Sequence, residues 1–110
     1  MSDEFPRLRV DDRGIWCDDR PDLASGIYWE AIDAVSGYQR ESSSASALVI
    51  ELFHPSGFVF EILEEWTGFT ETVEAMTQKL PGIPTDWCDQ IRNHRDRSQR
   101  KTVWQRNPVE

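Results

Sequence analysis

The stretch that most constrains this chain lies at residues 47–63, ALVIELFHPSGFVFEIL. Two runs of aliphatic, β-branched and aromatic residues flank His54-Pro55-Ser56-Gly57, a group of turn formers, and this pattern predicts a β-hairpin. Side chains alternate across a strand, so Leu48, Ile50 and Leu52 share one face, and Phe58, Phe60 and Ile62 continue it on the second arm. That face is expected to form the floor of the core. The opposite face carries Val49, Glu51, Phe53, Val59, Glu61 and Leu63, a mixture too apolar for a plainly solvated surface. It is expected either to be partly covered or to serve as an interaction surface.

A chain of 110 residues fits one domain around one hydrophobic core. Its 38% apolar content, with five Trp and five Phe, is too rich for disorder, while the apolar runs are too short to span a membrane. No basic segment followed by an apolar stretch opens the chain, so a cytoplasmic location is expected. In that compartment Cys17 and Cys88 are expected to be reduced thiols, and neither belongs to a CxxC pair of the kind that binds zinc.

The net charge of −8 is unevenly spread. Residues 1–90 hold 18 acidic and six basic side chains, whereas residues 91–110 hold two acidic and six basic. An acidic body repels nucleic acid, and a basic tail can dock on something acidic, including that same body.

Elements can be placed along the chain from the same rules. Residues 1–6 are expected to fray. Leu8, Val10, Ile15 and Trp16 around Asp11-Asp12-Arg13-Gly14 predict a first, tighter hairpin, with Gly14 supplying a positive φ. Ile27, Trp29 and Ile32 can all face inward only if the chain bends near Glu30 or Ala31. A strand follows through Tyr38, with a bulge or close approach at Gly37. Ser42-Ser43-Ser44 has the composition of a flexible connection.

Phe69, Val73, Met76 and Leu80 form an apolar stripe at helical spacing within a helix over residues 66–80, with Thr67 as its N-cap and Pro81-Gly82 as its stop. A shorter helix is expected after Pro84, capped by Thr85, with Trp87, Cys88 and Ile91 on its apolar side. Residues 92–101 read as a basic flexible segment. Thr102-Val103-Trp104-Gln105 is β-prone and can add a terminal strand to a sheet edge.

Candidate chemistry is sparse. His54 precedes a proline in a turn, His94 lies in the basic tail, and neither has a ligand partner at metal spacing. Carboxylates beside Cys17 and Cys88 raise a thiol pKa, which opposes a nucleophilic role. The pairs Asp11-Asp12, Asp18-Asp19 and Glu64-Glu65 place adjacent side chains on opposite faces of a strand, so no pair converges on one ion or one bond. No GxGxxG, P-loop, GxSxG or HExxH occurs, so no enzymatic activity, metal or cofactor is expected. The five tryptophans fall at the ends of elements, where a large ring can close a core. Trp104 joins the candidate interaction surface if it is exposed.

The segment Gly26-Ile27-Tyr28-Trp29-Glu30-Ala31-Ile32-Asp33-Ala34-Val35 resembles the I-x-W-x-x-I-x-x-V strand of bacterial pleckstrin-homology-like (PH-like) domains. Leu80-Pro81-Gly82-Ile83-Pro84 with Trp87, and the terminal Thr102-Val103-Trp104, are similar to segments of small uncharacterised bacterial proteins with that fold. The resemblance covers residues 8–105. It implies an α+β domain: a bent antiparallel sheet, barrel or half-barrel, closed by a C-terminal helix, with a short second helix and terminal strand as departures. No basic phosphoinositide pocket is present, so lipid binding does not carry over. The expected function is a non-catalytic binding module, homodimeric in one version. The alternative is an acidic immunity-type protein neutralising a basic toxin such as a nuclease, and the third reading is an enzyme using a cysteine.

Overall fold

In the computed structural model, which describes residues 7–17, 25–41, 46–93 and 100–106, the expected hairpin forms one side of a larger sheet. The chain runs β1 (Leu8–Val10), β2 (Gly14–Cys17), β3 (Ser25–Tyr28), a 3₁₀ turn (Trp29–Ala31), β4 (Ala34–Glu41), β5 (Ser46–Phe53), β6 (Val59–Leu63), α1 (Phe69–Lys79), α2 (Trp87–Arg92) and β7 (Lys101–Gln105). The architecture is α+β. The strands form two antiparallel sheets, ordered β1-β2-β3 and β6-β5-β4-β7, rather than the single bent sheet expected, and no barrel closes.

The division falls where alternation failed in the sequence. Ile27, Trp29 and Ile32 are all buried, and the 3₁₀ turn between β3 and β4 is the bend that lets them be. In the first sheet, Asp11 organises the turn. Its Oδ1 accepts hydrogen bonds from the backbone N–H groups of Arg13 (2.8 Å) and Gly14 (3.0 Å) and from the Trp16 indole (3.0 Å). Gly14 does not have the positive φ expected of it. It sits in β2 because a Cβ there would lie 2.2 Å from the Ile27 carbonyl oxygen on β3.

In the larger sheet the register sets Ile50 opposite Ile62 and Leu52 opposite Phe60, and Leu48, Ile50, Leu52, Phe60 and Ile62 are all buried. Phe58 departs from the expectation: it belongs to the turn, outside β6, and is 48% exposed. The bulge lies between Val35 and Ser36, where β4 meets β7, while Gly37 is a close approach occupied by the Ile91 side chain.

Helix α1 begins three residues later than the sequence pattern indicated, and Gly68, with φ 91°, occupies the N-cap in place of Thr67. Thr67 is used differently, because its carbonyl accepts the Leu8 N–H (2.7 Å) in a parallel bridge to the start of β1. That pairing brings the chains so close that a Cβ on Gly68 would lie 2.4 Å from the Leu8 carbonyl oxygen. Phe69, Met76 and Leu80 are buried as the stripe predicts, and Thr72 joins them by donating its hydroxyl to the Gly68 carbonyl (2.8 Å).

Helix α2 is capped by Asp86 rather than Thr85, and it buries Trp87 and Ile91 against β4 and β7. The Trp87 indole donates to the Thr77 hydroxyl (3.0 Å), joining the two helices. Strand β7 pairs with the free edge of β4 as a terminal edge strand. Arg106 then donates to the carbonyls of Ile32 (3.1 Å) and Trp29 (2.7 Å), fastening the chain to the 3₁₀ turn. One cluster of buried side chains draws on both sheets and both helices. Among the described residues no helix is long and apolar enough to cross a membrane. The expected fraying of residues 1–6, the Ser42-Ser43-Ser44 connection and most of the basic segment (residues 94–99, with His94) lie outside the described residues.

Candidate interaction surface

Both helices contribute to the core on one side of the four-stranded sheet, and the candidate surface is the other side. Cross-strand register arranges it in three rows: Ala34, Phe53 and Val59; then Ser36, Glu51 and Glu61; then Tyr38, Val49 and Leu63. Side chains opposite one another on neighbouring strands lie about 5 Å apart, so each row is a line of contacts. A polar row therefore lies between two largely apolar ones.

Glu51 is the centre of the polar row. Its side chain is only 4% exposed, and a carboxylate so buried requires a cation and hydrogen bonds to offset its desolvation. Both are present. Oε1 accepts from the Ser36 hydroxyl (3.1 Å) and from Nε of Arg100 (2.6 Å). Arg100 reaches Glu51 across Tyr38, its guanidinium 5.4 Å from the ring centroid, and is itself 61% exposed. The bond to Glu51 raises the Arg100 pKa further above its ordinary value. The basic C-terminal part of the chain thus docks on its own acidic body, here and through the Arg92–Glu64 pair (2.9 Å).

Of the seven residues expected on this surface, Val59 and Glu61 are exposed and Phe53 and Leu63 are half-buried. Val49 is buried, and Glu51 contributes only the rim of its carboxylate. Trp104 does not belong there. It is 7% exposed on the core side, and its indole donates to the Pro81 carbonyl (2.8 Å). Sequence reading missed Ser36, Tyr38 and Arg100, because only the pairing of β4 and the course of β7 bring them beside Glu51.

Two shallow concavities meet at Phe53. One is lined by Glu51, Phe53, Val59, Glu61 and Arg100. The other extends past Ala34 and Thr102 to Asp33, Gln105 and the turn residues His54, Pro55 and Gly57. His54 is occupied within its turn, its Nδ1 lying 2.8 Å from the Ser56 hydroxyl and accepting the Ser56 N–H (3.0 Å). Phe58 lies apart from both concavities, stacked 6.4 Å from the core-face Phe60.

Chemistry elsewhere is limited. Cys17 and Cys88 are free thiols. Burial pushes the Cys88 thiol up to about 11 against the opposing influence of Arg92, so it is protonated at neutral pH. The acidic pairs separate, as expected. Asp11 closes its turn while Asp12 faces Lys79 (3.7 Å), and Glu64 holds Arg92 while Glu65 faces Arg40 (3.9 Å). The third pair, Asp18-Asp19, lies outside the described residues. Among the described residues no group of three His, Cys, Asp or Glu side chains converges as a metal site.

No known family, curated protein or solved structure matches this chain.

Proposed function

We propose that this protein is a non-catalytic binding module that engages a protein partner through the outer face of its four-stranded sheet. One observation carries the reading: the helices pack on the other side, and the outer face keeps Val59 37% exposed beside half-buried Phe53, with half-buried Leu63 beyond Glu61. Exposed apolar side chains bordered by polar ones mark interaction sites. A PH-like plan is consistent with this role. Two antiparallel sheets joined through a 3₁₀ turn, followed by a helix after the last hairpin, support it, and α2 and β7 are additions to it. The protonated Cys88 thiol argues against a cysteine enzyme. The acidic balance argues against nucleic acid, and we place the module in the cytoplasm.

Two versions differ in the partner. A homodimer would use the outer face or the free edge of β7, since an edge strand can recruit another strand. An immunity-type protein would use its charge of −8 and the exposed Glu61 to steer onto a basic toxin. Glu61 favours the second version, because two outer faces in contact would bring like charges together.

Site-specific photo-crosslinking distinguishes the surface from the rest of the molecule. A benzophenone side chain at Val59 is expected to yield discrete adducts in host cells, whereas the same group at exposed Gln78 on α1 yields none of them. Identical adducts from both positions would remove the outer face as the binding site.

A further inference from the structure

The concavity on the outer face contains more acid than base. Among the described side chains that line it, Glu51 and Glu61 face one guanidinium, that of Arg100, which leaves one negative charge over. Both described hydrogen bonds to Glu51 arrive at Oε1, and among the described residues Oε2 accepts none. Phe53 and Val59 supply an apolar wall beside these oxygens. Arg100 demonstrates the fit, since a guanidinium lies on this face stacked over Tyr38 and bonded to a buried carboxylate. Such a site offers a long cationic side chain both a carboxylate for its head and apolar surface for its stem.

We propose that this concavity accepts an arginine or lysine side chain from an extended basic segment of a partner protein. The cationic head is held between Glu61 and Oε2 of Glu51, and the alkyl stem lies on Phe53 and Val59. The inference rests on the proposed binding role and names the chemistry of the partner. The adjoining edge of β6 pairs only with β5 among the described residues, so an extended segment can lie alongside it with alternate side chains over the outer face.

The test is a titration followed by amide chemical shifts, using the blocked peptide Gly-Val-Arg-Val-Arg-Gly and its counterpart with glutamate in place of arginine. The arginine peptide is expected to shift the amides of Glu51, Phe53, Val59 and Glu61, and the glutamate peptide to leave them unmoved. Glu61→Gln is expected to weaken binding roughly two- to fivefold, the range for one exposed carboxylate, while Glu74→Gln on α1 leaves it unchanged. Equal losses from the two variants would show diffuse charge attraction and overturn the proposal. So would shifts at these residues that follow protein concentration rather than peptide, which would assign the face to a second copy of the chain. If both peptides fail while Val59 still crosslinks to a partner, the cation site is wrong and the binding role stands. Loss of the Val59-specific crosslink would instead remove the binding role.

Discussion

Cys88 illustrates how far a residue's surroundings can move its chemistry. It lines a groove between the helices with Phe69 and Val73, and burial there pushes its pKa to about 11. In a Cys17→Ser background, alkylation of Cys88 by iodoacetamide at pH 7 is expected to be roughly 100-fold slower than that of a free cysteine, because thiolate is the reacting species. Labelling at the free rate would reopen the cysteine-enzyme reading. Two carboxylates move the other way. Burial works against ionisation of Glu64, but the hydrogen bonds from Arg92 and from the Leu48 N–H outweigh it and hold the pKa below its ordinary value. Asp11 is lowered first by the Trp16 indole and then by the Arg13 N–H. A carboxyl whose folded pKa lies below its unfolded value stabilises the fold above the unfolded pKa, and that contribution is lost as pH falls through the folded one. The melting temperature is therefore expected to decline from about pH 4.5 downward, and Glu64→Gln should make the decline shallower. A variant with the wild-type slope would show that Glu64 contributes nothing to acid stability.

At the scale of elements, the entry into α1 is the most exacting joint. Gly68 combines a left-handed φ with a backbone oxygen where a Cβ would be, whereas Gly57, with φ 99°, has open space around it. Gly68→Ala is expected to cost about 2–4 kcal/mol and Gly57→Ala about 1 kcal/mol, both measured by urea denaturation. Equal costs would mean that Leu8 yields easily and the β1–α1 pairing is not rigid. Trp87→Phe is expected to cost about 2–3 kcal/mol, since it empties buried volume and leaves the Thr77 hydroxyl without its donor. The stripe Phe69, Met76 and Leu80 announced this helix in the sequence, and Trp87 and Ile91 announced the next. Their starts were not legible, because Thr67 is an equally good cap on local grounds. What displaced it was the pairing with Leu8, a residue some sixty positions earlier in the chain.

At the scale of the molecule, charge and surface decide association. With a net charge of −8 and Glu61 on the exposed face, the isolated protein is expected to scatter light as a 12.8 kDa monomer at micromolar concentration in low salt. A stable mass of twice that value would favour the homodimer version and weaken the argument for a basic partner. The candidate surface was half legible. Alternation along β5 and β6 separated Val59, Glu61 and Phe53 from the core face. Its mixed character left partial covering open, but it did not single out Val49 and Glu51 as the buried ones, or show that Trp104 belongs to the core. Ser36 and Arg100, which bond to Glu51, come from elsewhere in the chain, and the distance in sequence from Glu51 to Arg100 is beyond any local pattern.

Alternation and helical periodicity by themselves determined that Leu48, Ile50, Leu52, Phe60 and Ile62 of the hairpin, and Phe69, Met76, Leu80, Trp87 and Ile91 of the helices, face inward, because a side chain's direction follows from backbone geometry. Composition determined that the body is acidic and its C-terminal part basic. Only the tertiary structure decided that the strands divide into two sheets at the 3₁₀ turn, and that Arg100 lies over Tyr38 and bonds to Glu51. Those outcomes depend on which distant segments meet, and burial of a carboxylate becomes tolerable only once a cation from elsewhere in the chain arrives to neutralise it.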